Sequence, residues 1–175
     1  MEWQAMIIDG FGRVLELLEP AVKGLNRADL NERPKPDCNS LGWIAWHLTR
    51  GQDAQIAELM QGKQVWVKGK WHVKFDRAAD PSDTGFGHRP QDVAAFKSPP
   101  PGVLLDYYRA TLEQTKRYLS GLTPADLDRQ LDEPWFKPPP TVGVRIVSVM
   151  ADCLQHSGEA AYLRGLLKGS GWLGY

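Results

Sequence analysis

The sequence predicts an all-α fold: a four-helix bundle with a long insert between helices 2 and 3. Three observations point there. Four stretches carry apolar residues at helical spacing. Glycine and proline punctuate the ends of those stretches. A short echo, Gly-Leu-x-x-Ala-Asp-Leu, precedes the second and the fourth stretch, as "GLNRADLNERP" and "GLTPADLDRQLDEP". The echo reads as one helix-pair unit used twice, and two related pairs make a bundle. At 175 residues the chain reads as a single domain over 1–175, long enough to bury a core.

The first helix is expected from about Trp3 to Lys23, with Trp3, Met6, Ile7, Phe11, Val14, Leu17 and Leu18 as its stripe. Pro20 leaves its end open, since a proline inside a helix removes one hydrogen bond and adds a clash. The second helix follows "RPKPDCNS", where Asn39 or Ser40 can cap it. Leu41, Ile44, Ala45, Leu48, Ile56 and Leu59 form its apolar side, and Gly62 stops it. The third follows "SPPPG" and runs from about Val103 to Leu119, with Leu104, Tyr107, Tyr108, Leu112 and Leu119 on its stripe. The fourth follows "FKPPPTVG" and runs from about Val144 to Leu167, with Gly169 as its stop.

Between helices 2 and 3 lie about forty residues too rich in glycine, proline and aspartate for one long element. "RPQDVAAF" can form a short helix with Pro90 at its start. The insert holds Trp66, Trp71, Phe75 and Phe86, so a packed cover is expected in place of a disordered linker.

Lys+Arg and Asp+Glu both number 21, for a formal net charge of zero. Nothing steers such a chain onto a nucleic acid backbone, so no nucleic-acid partner is expected. No stretch approaches the roughly eighteen apolar residues of a membrane span, so no membrane is expected either. The start shows no basic region, apolar run and small-residue cleavage site in succession. Cys38 and Cys153 are far apart and lack a CxxC spacing. A reduced, cytoplasmic protein is the expectation.

Three polar residues interrupt the apolar helices. His47 sits in "GWIAWHLTRG", among Trp43, Ile44 and Gly51 at helical spacing. Alone, it reads as a hydrogen-bonded core histidine or as a ligand. Asp152 and His156, in "ADCLQHSGEAAYLRG", are four apart on one side of helix 4. Alone, they read as a salt bridge or as two ligands. If the two repeat units pack side by side, the three residues lie at matching depths inside facing helices. Two neutral imidazoles and one carboxylate can supply three protein ligands and leave positions for water or substrate. A metal would also explain an aspartate on a buried helix. Cys153 points away from Asp152 and reads as a small core residue. The glycine pairs in "GFGRVLE" and "DTGFGH" lack the strand-turn-helix context of a nucleotide site.

"NSLGWIAWHL" followed by "DCLQHSGEAAYLRG" resembles the DinB/YfiT-like superfamily. These are metal-binding four-helix bundles that include the mycothiol-dependent maleylpyruvate isomerase and related thiol S-transferases. The resemblance covers nearly the whole chain and implies a DinB-like bundle with His47, Asp152 and His156 on the three ligand positions. Asp152 stands where the isomerase branch carries glutamate and other branches histidine. Glu159, one turn beyond His156, can substitute as a ligand or act as a base. Arg164 matches an arginine that can bind a carboxylate or pack. No counterpart of the isomerase's extra C-terminal domain is expected, which counts against the isomerase reaction and leaves thiol transfer open.

The resemblance thus implies one divalent metal, zinc or nickel, with mycothiol or a similar thiol as co-substrate and a small electrophile as its target. Glu159 and Arg164 are the catalytic candidates. Trp43, Trp71, Phe75 and His88 are the substrate-binding candidates, with Trp71 and Phe75 expected in a cover that closes over an apolar substrate. A homodimer through helix faces is implied as well. The alternative function is a non-enzymatic metal- or small-ligand-binding stress-response module on the same fold. A third is a partner-binding bundle without a metal, in which the three residues form a buried polar network.

Overall fold

A computed structural model of the chain describes residues 2–172. Its helices are α1 (Trp3–Val22), α2 (Arg27–Asn31), α3 (Leu41–Leu59), α4 (Val65–Lys68), α5 (Trp71–Lys74), α6 (Pro90–Ala95), α7 (Pro101–Ser120), α8 (Pro124–Leu127) and α9 (Val142–Lys168). The four long ones, α1, α3, α7 and α9, form the bundle: α3 and α1 each pack against both α7 and α9. Among the described residues there is no strand, only an isolated antiparallel pairing of Gln130 with Thr141. No described helix is long and apolar enough to cross a membrane.

The expected helices are all present. In α1, Phe11, Val14 and Leu18 are buried, whereas Met6 points outward and is exposed. Pro20 lies within the last turn of α1 and the helix ends two residues later, where the Lys23 N–H donates to the Pro20 carbonyl. Ser40 caps α3 through the Trp43 N–H, and Thr141 caps α9 through the Val144 N–H.

The echo before α3 and α9 has a local cause. Asn26 accepts from the Asp29 N–H while Asp29 accepts from the Asn26 N–H, a capping box that starts α2. Thr123 and Asp126 make the same arrangement at the start of α8. Both repeats of Gly-Leu-x-x-Ala-Asp-Leu are therefore short capped helices that set the entry of a long one.

The insert packs down as a cover, with Trp66, Trp71, Phe75 and Phe96 all buried. Trp66, Trp71 and Phe75 gather on Tyr107 of α7, with ring centroids 5.5, 5.3 and 5.6 Å from it. Phe86 alone departs from this pattern, at 91 % exposed.

Two buried charges fasten the cover to α3. Arg50, fully buried, donates to the Asp83 carbonyl at 3.0 Å and the Pro81 carbonyl at 3.0 Å. Asp53 accepts from the Val65 and Trp66 N–H groups at 2.7 and 2.8 Å, at the start of α4. It also accepts from the Tyr107 hydroxyl at 2.8 Å, and Arg50 lies 3.5 Å away. Burial pushes the Asp53 carboxyl above its ordinary range, against the opposing pull of the Trp66 N–H, Tyr107 and Arg50.

Candidate metal centre

α3 and α9 run antiparallel in a fixed register. Arg145 approaches Glu58 at 3.8 Å, a Cβ on Gly51 would stand 3.7 Å from Asp152, and the His47 and His156 rings lie 4.9 Å apart edge to face. This register brings together the three residues singled out from opposite ends of the sequence.

His47 is held from two sides. Its ring stacks on Trp43 at 4.6 Å with planes 19° apart. Its Nδ1 lies 2.6 Å from the Thr84 carbonyl of the insert. A carbonyl only accepts, so Nδ1 carries the proton and, in the neutral ring, Nε2 carries the lone pair. The approach depends on Gly85, whose φ is +88°. A Cβ there would come within 2.8 Å of His47 Nδ1, 2.9 Å of Trp46 and 3.0 Å of Trp43. Burial lowers the His47 pKa, with the nearby His156 adding to it, while the Thr84 bond and Asp152 oppose.

His156 repeats the arrangement with a side-chain partner. Its Nδ1 lies 2.7 Å from Glu159 Oε2, and its Nε2 lies 3.5 Å from Asp152 Oδ1. Glu159 thus acts on His156 from outside the cluster, one turn on, and orients the ring. Both imidazoles are anchored at Nδ1 by an acceptor, the outer-shell arrangement that presents Nε2 to an ion. Two such nitrogens and the Asp152 carboxylate fit a divalent ion in kind. As they stand, no three His, Cys, Asp or Glu side chains among the described residues are placed to hold a metal ion together.

The other candidates divide. Trp43 walls the cluster through its stack on His47. His88 lies behind that wall: its Nδ1 accepts from Trp43 Nε1 at 3.2 Å, and its Nε2 lies 3.1 Å from Asp83. Asp83 is held in turn by Arg77 at 2.6 Å. Both nitrogens of His88 are occupied, so it positions Trp43. Trp71 and Phe75 are placed elsewhere, in the core layer on Tyr107. The expected closure by these two rings is not what the fold builds, because burial on α7 takes both. Arg164, two turns past His156, acts on Asp29 and Lys168 near the base of α9. Its Nε and Nη1 are buried without a hydrogen-bond partner among the described residues. Cys153 is fully buried against the Leu48 carbonyl and Gln52 on α3, and desolvation pushes its thiol well above the ordinary range.

The Thr84 carbonyl, Gly85 and the Arg50–Asp53 pair were not legible as parts of this arrangement. The Gly-Phe-Gly of "DTGFGH" carried the only local signal, a backbone free to come close.

Among solved structures, the chain is similar to a conserved protein of Enterococcus faecalis. The two are 30 % identical, the match covers 97 % of this chain and 99 % of that one, and the TM-score is 0.88. No curated protein matches the chain. The family whose pattern matches residues 11–160, which takes in α3, α7, the greater part of α1 and α9 and the whole His47, Asp152 and His156 cluster, is the DinB superfamily, and the chain belongs to it.

Proposed function

We propose that this chain binds one divalent metal, zinc or nickel, through His47, Asp152 and His156, and works as a thiol-dependent S-transferase. The observation that supports it is the paired anchoring of the two imidazoles at Nδ1, by Thr84 and by Glu159. When bound, a divalent ion supplies Lewis acidity and favours the thiolate form of a coordinated thiol. The chain's own part is to hold the rings and shape the entrance. Thr84 and Glu159 fix the donor nitrogens, Trp43 keeps water from one face of His47, and His88 holds Trp43. The co-substrate is a low-molecular-weight thiol of the mycothiol kind, and the target a small electrophile.

The test is elemental analysis of tag-free protein, for wild type and His47→Ala side by side, before and after reconstitution. Near one zinc or nickel per chain in the first and little in the second is expected. A thiol screen against small electrophiles follows with the loaded protein. Absence of metal from the reconstituted wild type would sink the ligand assignment. A second reading, a metal- or small-ligand-binding module without turnover, is favoured by the open spacing of the three donors. Turnover with any thiol counts against it.

A further inference from the structure

We propose that the groove between α3 and α9 continues from the histidine cluster into a binding pocket for a neutral aromatic small molecule. In the transferase this would be the electrophile's site, so its chemical role rests on that reading, whereas its place rests on the groove alone.

The register that pairs Gly51 with Asp152 carries on along both helices. Gln55 is one turn further along α3 and Ser148 one turn back along α9, and both line a pocket of ≈ 700 Å³. One helical turn of four residues is about 6 Å, so the pocket begins next to Asp152. Its volume lies in the range of small-molecule sites. The far wall is the segment before α9, with Phe136 and Pro138, Pro139 and Pro140. That segment is closed across its base by the Leu131 N–H on the Pro140 carbonyl at 2.9 Å and the Val142 N–H on the Arg129 carbonyl at 3.0 Å, and Glu133 ties it to Arg145 of α9.

The occupant follows from the walls and from Arg145, the cation among the described lining residues. Phe136, the prolines and Val144 offer a ring face and C–H surfaces, which suit a flat apolar ring. Arg145 also lines the pocket, but its charge is taken. Its Nη2 donates to both oxygens of Glu133 at 2.5 and 2.6 Å, and Nη1 lies 3.8 Å from Glu58. With two carboxylates beside one guanidinium, a carboxylate, sulfonate or phosphate on the ligand meets a cation already neutralised and added repulsion from Glu133 and Glu58. A neutral ring meets no such cost.

Two fluorescent probes of one skeleton test this: neutral N-phenyl-1-naphthylamine and its sulfonated counterpart, 8-anilino-1-naphthalenesulfonate. Each is titrated into the wild type, Ser148→Trp, Val144→Arg and His47→Ala. Residues 144 and 148 are exposed, so both pocket variants keep the fold; circular dichroism checks this. Saturable one-to-one binding of the neutral probe is expected, weaker by about tenfold or more in both pocket variants. The sulfonated probe is expected to bind at least about tenfold more weakly than the neutral one. His47→Ala should lose metal and keep the probe. Probe binding indifferent to both pocket variants, or tighter binding of the sulfonated probe, overturns the proposal. A wild type without metal whose probe binding still responds to Ser148→Trp supports the pocket and removes the metal reading alone.

Discussion

Helix α3 carries two polar clusters three residues apart, and they are built in opposite ways. Arg50 and Asp53 themselves are fully paired, by backbone carbonyls, backbone N–H groups, Gln64 and the Tyr107 hydroxyl. Around His47 each imidazole is anchored at one nitrogen and left open at the other, with Asp152 half exposed beside them. A saturated buried cluster fastens one part of a fold to another. A cluster held at the rear and open in front is what the metal-binding reading proposed above requires.

The largest expected contrast is in stability. Asp53→Ala strands the Arg50 guanidinium and two buried N–H groups, and a loss of about 3–5 kcal/mol is expected from urea unfolding. His156→Ala in the metal-free protein should cost no more than about 1 kcal/mol, because its ion-pair partners are about half exposed. Equal losses in the two variants would erase the distinction between them.

The middle case joins the clusters. Gly85→Ala places a methyl group 2.8 Å from His47 Nδ1 at a φ of +88°. A stability loss of about 1–3 kcal/mol is expected. Because the Thr84 carbonyl must then retreat from His47, metal affinity should fall by about tenfold or more. Unchanged affinity in a competition titration would mean that the Thr84 bond does not present the ring.

The smallest effect is on pH. Burial lowers the His47 pKa, so the folded state favours the neutral ring. The unfolded chain therefore binds the proton more readily. Stability of the metal-free protein that comes from this group is fully present above the ordinary histidine value and is lost as pH falls through that value toward the lowered one. His47→Gln should flatten the slope of urea midpoint against pH in that window. An unaltered slope would move the effect to another histidine.

The bundle was legible because its signals are local. Periodicity placed α1, α3, α7 and α9, and the echo before α3 and α9 turned out to be two capping boxes, each contained in four residues. Trp71 and Phe75 show where such reasoning stops. Aromatic content says that a segment will be buried, but an insert without periodicity does not say on what, and Tyr107 of α7 took both. Arg50 and Asp53 were missed for the reverse reason. Charged residues on a helix ordinarily face water, and only the folded insert supplies the carbonyls and N–H groups that let this pair go inside. His47, Asp152 and His156 were legible as a set because each breaks an apolar pattern at matching depth, but the Thr84 carbonyl that aims His47 leaves no trace in side-chain identity.

The segment from Pro81 to His88 has no regular secondary structure, and by that measure it is a loop. Yet the carbonyls of Pro81 and Asp83 end on a guanidinium sealed inside the bundle. The segment cannot lift away from His47 without leaving that buried cation undersolvated, so its opening free energy is drawn up toward that of global unfolding. Through two carbonyls, an exposed loop is tied to the stability of the bundle interior.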